Sequence, residues 1–244
     1  MNDWLIVIPA RLESTRLPHK PLQDLGGVPL IIRVYNNLET LRSLGARTII
    51  ATDSELVVEA CEKHNAEVVL TSPDHQSGTD RCWEVARDIG KDFILNVQGD
   101  EPFVDIESLQ NLCTRFKDSH WADMATLVFH VKDGQDFTNP NVVKTVISPN
   151  GRALYFSRSP IPHAREASEE NTPYYQHQGI YAFKKDSLRQ FIGLEVSALE
   201  KTEKLEQLRA LENDLSILCV ESNHQSIGID TPEDLEQAIK ILKK

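Results

Sequence analysis

The sequence predicts an α/β chain: a mostly parallel sheet flanked by helices, with a smaller antiparallel lobe. Three observations predict it. Short apolar runs alternate with amphipathic stretches of about a dozen residues through the first half of the chain, the rhythm of strand–helix–strand crossovers. Beyond Met124 the runs MATLVFHV, NVVKTVIS, RALYFSRSP and QHQGIYAF follow one another across turns such as Pro149-Asn150-Gly151, which suits antiparallel strands. No repeat, low-complexity stretch or linker interrupts the 244 residues, so residues 1–244 read as one domain with a small lobe at about 125–200.

Leu5–Ala10 is an apolar run of the kind that forms a buried parallel strand. From Pro29 a helical stripe places Leu30, Ile31, Val34, Leu38 and Leu41 on one face, and Gly45 stops it. Arg47–Asp53 is the second strand, and Ser54 is placed to cap a helix carrying Leu56, Val57, Val58 and Cys61. A third strand at residues 66–71, a third helix at 79–90 and a fourth strand at 92–102 follow. Asp105 is placed to cap the next helix, with Ile106, Leu109, Leu112 and Phe116 inward. Residues 162–175, polar and flanked by prolines, read as a mobile loop. Ser197 and Glu200 form a capping box for one helix over 198–213. Thr231-Pro232-Glu233-Asp234 opens the last helix with a cap, a proline in its first turn and acids at the positive end of its dipole.

Composition excludes several classes. With 26 Lys plus Arg against 37 Asp plus Glu, the formal charge is -11, which opposes non-specific binding to nucleic acid or to an anionic membrane. No stretch approaches the ~20 apolar residues of a membrane span. The start, MNDWLIVIPAR, lacks the pattern of a signal peptide, so the expectation is a cytoplasmic protein. Cys61, Cys82, Cys113 and Cys219 are widely spaced with no C-x-x-C pair, and read as reduced thiols.

The densest chemistry follows the first strand. Pro9-Ala-Arg-Leu-Glu-Ser-Thr-Arg-Leu-Pro-His-Lys-Pro-Leu22 sets Arg11, Arg16 and Lys20 beside the hydroxyls of Ser14 and Thr15. Charge spacing alone fits a solvated basic loop equally well. The position at the carboxyl end of a parallel strand favours a polyphosphate site. It is not a P-loop, because G-x-x-x-x-G-K-[ST] is absent. Asn96-Val-Gln-Gly-Asp-Glu-Pro102 ends a strand in Gly99 and Asp100, a place suited to magnesium, although an acidic turn explains it as well. Asp230, just before the last helix, is either a dipole partner or a second carboxylate for that metal. Ser77, Gly78 and Arg81 open a helix, and an arginine in a first turn calls for an acceptor or an anion. Arg158 follows an aromatic strand and carries a fork suited to a carboxylate, unless it is an ordinary salt-bridge partner.

P-A-R-x-x-S-T-R-L-P-x-K-P-L, D-H-Q-S-G-T-[DE]-R, N-V-Q-G-D-E-P, N-P-N-x-V-K, A-L-Y-F-S-R-x-x-I-P, H-x-G-I-Y, L-E-x-L-E-Q-L-R-x-L and D-T-P-E-D-L occur here in that order. In this the chain resembles the 3-deoxy-manno-octulosonate (Kdo) cytidylyltransferases, the CMP-Kdo synthetases of lipopolysaccharide assembly, from Ile8 to Leu235. The resemblance implies a nucleotidyltransferase-like, Rossmann-like fold with a dimerising lobe, hence a homodimer, and condensation of CTP with Kdo to CMP-Kdo and pyrophosphate. It implies that Pro9, Ala10, Arg11, Ser14, Thr15, Arg16, Lys20, Ser77, Gly78 and Arg81 bind the nucleotide. Arg11, Lys20 and Asp100 would serve catalysis, and Asp100 and Asp230 would hold Mg2+. Gln98, Arg158, His177, Tyr181, Glu206 and Gln207 would face the sugar. Relatives use an 8-amino form of the sugar or a sialic acid, but Q-G-D-E-P and Y-F-S-R-x-x-I-P fit the Kdo group better. A nucleotide-sensing module without turnover is the reading from another class. Two positions depart from the family pattern: His19 stands where Gly is usual, and Gln178 replaces an apolar residue.

Overall fold

The computed structural model describes residues 1–131, 137–165 and 174–243, which form two compact units. Met1–Ile106 with Ser226–Lys244 make the first, and Glu107–Gln225 the second. The second unit is therefore wider than the lobe expected at 125–200. The loop expected at 162–175 falls largely on 166–173, outside the described residues.

The first unit is built on four parallel strands. β1 (Trp4–Ala10) is buried along its whole length, as a strand covered on both faces must be. The helical stripe from Pro29 forms α1 (Leu30–Asn37) and then α2 (Glu39–Ser43), a break at Leu38 replacing the single helix expected. Gly45 follows at φ 98, a left-handed value that glycine adopts without strain. β2 (Arg47–Thr52), α3 (Glu55–Lys63), β3 (Val68–Leu70), α4 (Gly78–Ala86) and β4 (Phe93–Asn96) complete the series. Ser54 stands at the cap position of α3, but its hydroxyl makes no cap hydrogen bond. The strand order is β3-β2-β1-β4, with Ala10 level with Thr52 and Val7 with Asn96. Parallel register brings the carboxyl ends of all four strands to one edge, so the segments after Ala10, Thr52, Leu70 and Asn96 share it.

The second unit opens on α5 (Ile106–Asp118) and carries β5 (Met124–His130), β6 (Lys144–Ile147), β7 (Ala153–Ser157) and β8 (Tyr175–Lys184). β5 and β6 both run antiparallel to β8, and β6 to β7, as the patterning predicts. α6 (Lys185–Ile192) follows. The helix expected over 198–213 is two, α7 (Ala198–Glu203) and α8 (Gln207–Glu212), because Lys204 takes a left-handed φ of 54. Leu205, just before α8, and Leu208, within it, are both in the core, 6% and 0% exposed. β9 (Ile217–Glu221) pairs with β5 in parallel, a strand that the sequence reading passed over. α9 (Pro232–Leu242) then returns to the first unit, opened by the expected Thr231–Asp234 capping box.

All four cysteines are free and buried, and burial pushes the Cys61 and Cys219 thiols up to about 12. They are inert at neutral pH.

Lys204 has a side chain in a conformation that disfavours one by roughly 1–2 kcal/mol. Lys204→Gly should therefore raise stability by about 0.5–1 kcal/mol after the entropy of the unfolded glycine is subtracted. Urea denaturation checks this; a lower midpoint would show that the lysine side chain itself is needed.

Candidate functional site

The carboxyl edge of the first unit's sheet encloses a cavity of ≈ 400 Å3. Pro9 and Ala10 from the end of β1, Arg11, Glu13, Ser14, Thr15, Arg16, Lys20 and Pro21 from the loop behind it, Gly78 and Arg81 from α4, Gln98, Gly99 and Asp100 from the turn after β4, and Asp230 before α9 line it. Nine of the ten residues expected to bind nucleotide are in that lining. Ser77 is the tenth, and its hydroxyl is engaged in capping α4: it accepts from the Asp80 N–H at 3.1 Å and donates to the Asp80 carboxylate at 2.9 Å.

Two close approaches set the cavity floor. A Cβ at Gly99 would stand 2.8 Å from the Pro9 carbonyl oxygen, and one at Gly78 would stand 3.1 Å from the Pro9 ring. A side chain at 99 would strike backbone, so glycine lets the turn after β4 close on the end of β1, whereas at 78 a small shift of the Pro9 ring decides the fit.

Lys20 joins the loop to both expected metal carboxylates. Its ammonium donates to Asp100 Oδ2 at 2.6 Å and to Asp230 Oδ1 at 2.7 Å. Burial works against that charge, but Asp100 and Asp230 outweigh it and hold the lysine above its ordinary 10.5. Burial likewise opposes the Asp230 carboxylate, yet Lys20 and then Arg16, 3.0 Å away, hold it below 3.8. Lys20's raised value makes its contribution complete below 10.5 and lost as pH climbs through the folded value. Asp230's depressed value makes its contribution complete above 3.8 and lost as pH falls through the folded value. The clamp is thus intact across neutral pH.

Glu101, next in the chain, accepts from the Ser226 hydroxyl, and Ile229 N–H donates to the Asp100 carbonyl at 2.9 Å. Burial, with the Asp100 charge beside it, pushes Glu101 up to about 8. Among the described residues no group of three or more His, Cys, Asp or Glu could hold a metal. The available donors are two carboxylates already bridged by one cation. That set fits an ion that brings its remaining oxygens from a phosphate and from water.

Arg81 is fully buried and its acceptor is Asp53, whose Oδ2 lies 2.6 Å from Nη2, with Thr71 Oγ1 on Nη1. Asp53 and Thr71 escaped the sequence reading. Both stand just past the carboxyl ends of strands β2 and β3, and that shared edge is the signal that could have found them. His19 sits at φ 52, so the position is one where glycine fits without strain.

Of the residues expected to face the sugar, Gln98 lines the cavity of the first unit, while the other five belong to the second. There a register shift between Thr126 and Leu127 opens β8 around Gly179. The Thr126 hydroxyl fills the opening, 3.0 Å from the Gln178 carbonyl, 2.7 Å from that of Ile180 and 3.0 Å from His177 Nε2. With its one hydrogen given to a carbonyl, Thr126 can only accept from the imidazole, so Nε2 carries the ring proton. Burial pulls His177 down to about 3, which keeps it neutral. Tyr181 donates to Gln207 Oε1 at 3.0 Å, and the buried Gln207 Nε2 has no partner among the described residues. Glu206 stands at the head of α8. Arg158 is engaged: its guanidinium donates to the carbonyls of Glu203 at 2.7 Å, Pro140 at 2.8 Å and Lys204 at 3.4 Å. It closes the break between α7 and α8, which makes it a bridge to main chain and not the acid's partner in an ordinary ion pair. Gln178 donates to the His224 carbonyl at 2.9 Å, so its departure from the family pattern serves packing.

Comparison with known proteins gives the same direction. The family described as Cytidylyltransferase matches residues 5–217. The 3-deoxy-manno-octulosonate cytidylyltransferase of Chlorobaculum tepidum is 44% identical over 243 residues, 98% of this chain and 97% of its own. That of Elusimicrobium minutum is 43% identical over 245 residues, 100% of this chain and 99% of its own. Among solved structures, a CMP:2-keto-3-deoxy-manno-octonic acid synthetase complexed with CTP superposes with a TM-score of 0.91 at 37% identity, covering 98% of each chain. A putative glucose-1-phosphate thymidylyltransferase from Bacillus anthracis shares the fold at TM-score 0.70 and 16% identity, covering 99% of this chain and 96% of its own.

The glycine contacts generate a test. Gly99→Ala should destabilise the chain by about 1–3 kcal/mol, the range for overpacking against unyielding neighbours, and should shift Asp100. Denaturant melts with a crystal structure of the variant check this. A wild-type midpoint would show that the Pro9 backbone yields.

Proposed function

This chain belongs to the 3-deoxy-manno-octulosonate cytidylyltransferase family, and on that premise we propose that it transfers CMP from CTP to Kdo, releasing pyrophosphate. The observation that carries the reading is the cavity at the end of β1, where Arg11, Arg16 and Lys20 face Asp100 and Asp230. Cations suit a triphosphate, and paired carboxylates suit the divalent ion that travels with one. We assign the reaction to lipopolysaccharide assembly in the cytoplasm, and the working form to a homodimer. No helix among the described residues is long and apolar enough to cross a membrane.

The sugar's anomeric hydroxyl attacks the α-phosphate while pyrophosphate leaves in line. Such a transfer depends on positioning and on neutralising charge more than on covalent catalysis. Arg11 and Arg16 orient the triphosphate. Lys20 offsets charge that grows on the α-phosphate and the leaving group, exchanging a carboxylate oxygen for a phosphate oxygen within reach of the same stem. Asp100 and Asp230 would hold magnesium, which when bound neutralises phosphate oxygens and polarises the attacking hydroxyl. Pro9, Ala10, Gly78 and Arg81 enclose the base. In the second unit the Gln207 amide, without a partner among the described residues, offers a donor for an acid sugar, with His177 Nδ1, the Tyr181 hydroxyl oxygen and Glu206 as acceptors for its hydroxyls.

Incubation with CTP, magnesium and Kdo, its 8-amino analogue or a sialic acid should give CMP transfer and pyrophosphate with Kdo. Transfer to sialic acid alone would move the chain to another branch, and binding of CTP with no turnover on any acid would make it a sensor. Lys20→Ala should lower kcat by roughly 10²-fold, as for loss of one transition-state donor, with a smaller change in the KM for CTP. A raised KM at unchanged kcat would reduce the lysine to a ground-state clamp. Asp100→Asn and Asp230→Asn should each abolish turnover in a folded protein; activity at low magnesium would remove that residue from the metal site.

A further inference from the structure

We propose that Asp53, supported by Thr71, is the positioning residue that turns Arg81 into a reader of cytosine. The proposal deepens the assignment of CTP to this cavity and rests on it.

Arg81 is 0% exposed, yet it lines the cavity. A guanidinium stays charged when buried, and each of its N–H groups needs an acceptor. Nη2 donates to Asp53 Oδ2 at 2.6 Å and Nη1 to Thr71 Oγ1. Nε is buried and has no partner among the described residues. A buried donor left unmade costs about 1–3 kcal/mol, which favours any ligand acceptor that reaches it.

Both anchors are built to accept. The Thr71 hydroxyl gives its hydrogen to the Thr52 carbonyl at 3.0 Å, and the Thr71 N–H binds the same carbonyl at 2.7 Å. Only lone pairs of that hydroxyl remain for Arg81. Asp53 and Thr71 each stand one residue past the adjacent parallel strands β2 and β3, and Thr71 is tied back to the sheet edge by its two bonds to the Thr52 carbonyl.

The charge of Asp53 matters as much as its geometry. Arg11, Arg16 and Lys20 line the same cavity, and an uncompensated arginine among them would serve as one more phosphate cation. Paired to Asp53, Arg81 is electrically satisfied and offers directed donors to a neutral ring. The cytosine edge carries adjacent acceptors at O2 and N3, whereas uracil presents an N–H at N3. A fixed array of donors therefore prefers cytosine, because uracil would set donor against donor.

Calorimetric titration of the whole chain with CTP, UTP and inorganic tripolyphosphate tests this without relying on turnover. Asp53→Ala should weaken CTP roughly tenfold or more while UTP changes far less, so that the CTP-to-UTP ratio collapses. Tripolyphosphate should bind tighter as Arg81 turns to phosphate. Asp53→Asn, which keeps an acceptor but not the charge, should fall between. Thr71→Val should lower the ratio with its sheet position kept, and it decides the matter if Asp53→Ala does not fold. A wild-type ratio in the folded variants, or equal loss of CTP and UTP, would make Asp53 a structural partner only and overturn the proposal. A wild-type protein that binds CTP no tighter than UTP would remove the CTP assignment itself, and the proposal with it.

Discussion

One ammonium group holds the cavity at the end of β1 together. Lys20 reaches Asp100, 80 residues on, and Asp230, 210 residues on, so three segments that the chain keeps apart meet on a single charge. Like charges do not gather at one edge of a sheet unprompted. Asp100 and Asp230 would repel one another without the lysine, and Lys20, Arg11 and Arg16 would do the same without the carboxylates. Each set makes the other tolerable, and the shape of the cavity follows from that mutual compensation. The glycines at 78 and 99 supply the space, and the lysine supplies the reason for segments to close into it.

Most of the first unit was legible because its signals are local. β1 is a continuous apolar run, Gly45 needs a positive φ, and the Thr231–Asp234 box is written in four consecutive residues. The loop from Pro9 to Leu22 declared itself by three cations behind a strand. What stayed hidden was every partnership across the sheet. Arg81 in a first turn pointed to an acceptor, but nothing in spacing named Asp53, since the pairing exists only once β2 and β3 lie side by side.

The second unit was harder for a different reason. Residues 198–213 keep a helical pattern through Lys204, and no glycine or proline marks the break. Propensity favoured one helix; the left-handed Lys204, with the Arg158 guanidinium taking the carbonyls of Glu203 and Lys204, made two. β9 is short and apolar and was passed over because turn signals beside it are weak. The fork of Arg158 suits a carboxylate, and the main-chain oxygens it meets in the structure are long-range neighbours that spacing does not name. At the helix break a tertiary partner outweighed a local preference.

α4 and α9 both begin at this cavity, and each begins with a completed capping box, Ser77 with Asp80 and Thr231 with Asp234. Amides at such helix starts cradle phosphate in many nucleotide-binding proteins; here the cap hydroxyl accepts from the amide of the third helical residue, and the carboxylate of that residue accepts from the cap residue's N–H. The cations that line the cavity, Arg11, Arg16 and Lys20, are instead side chains carried on a loop. Backbone cradles are rigid and nearly indifferent to residue identity, whereas a set of side-chain cations can be altered one residue at a time. The charge that the cavity presents is therefore open to adjustment by single substitutions.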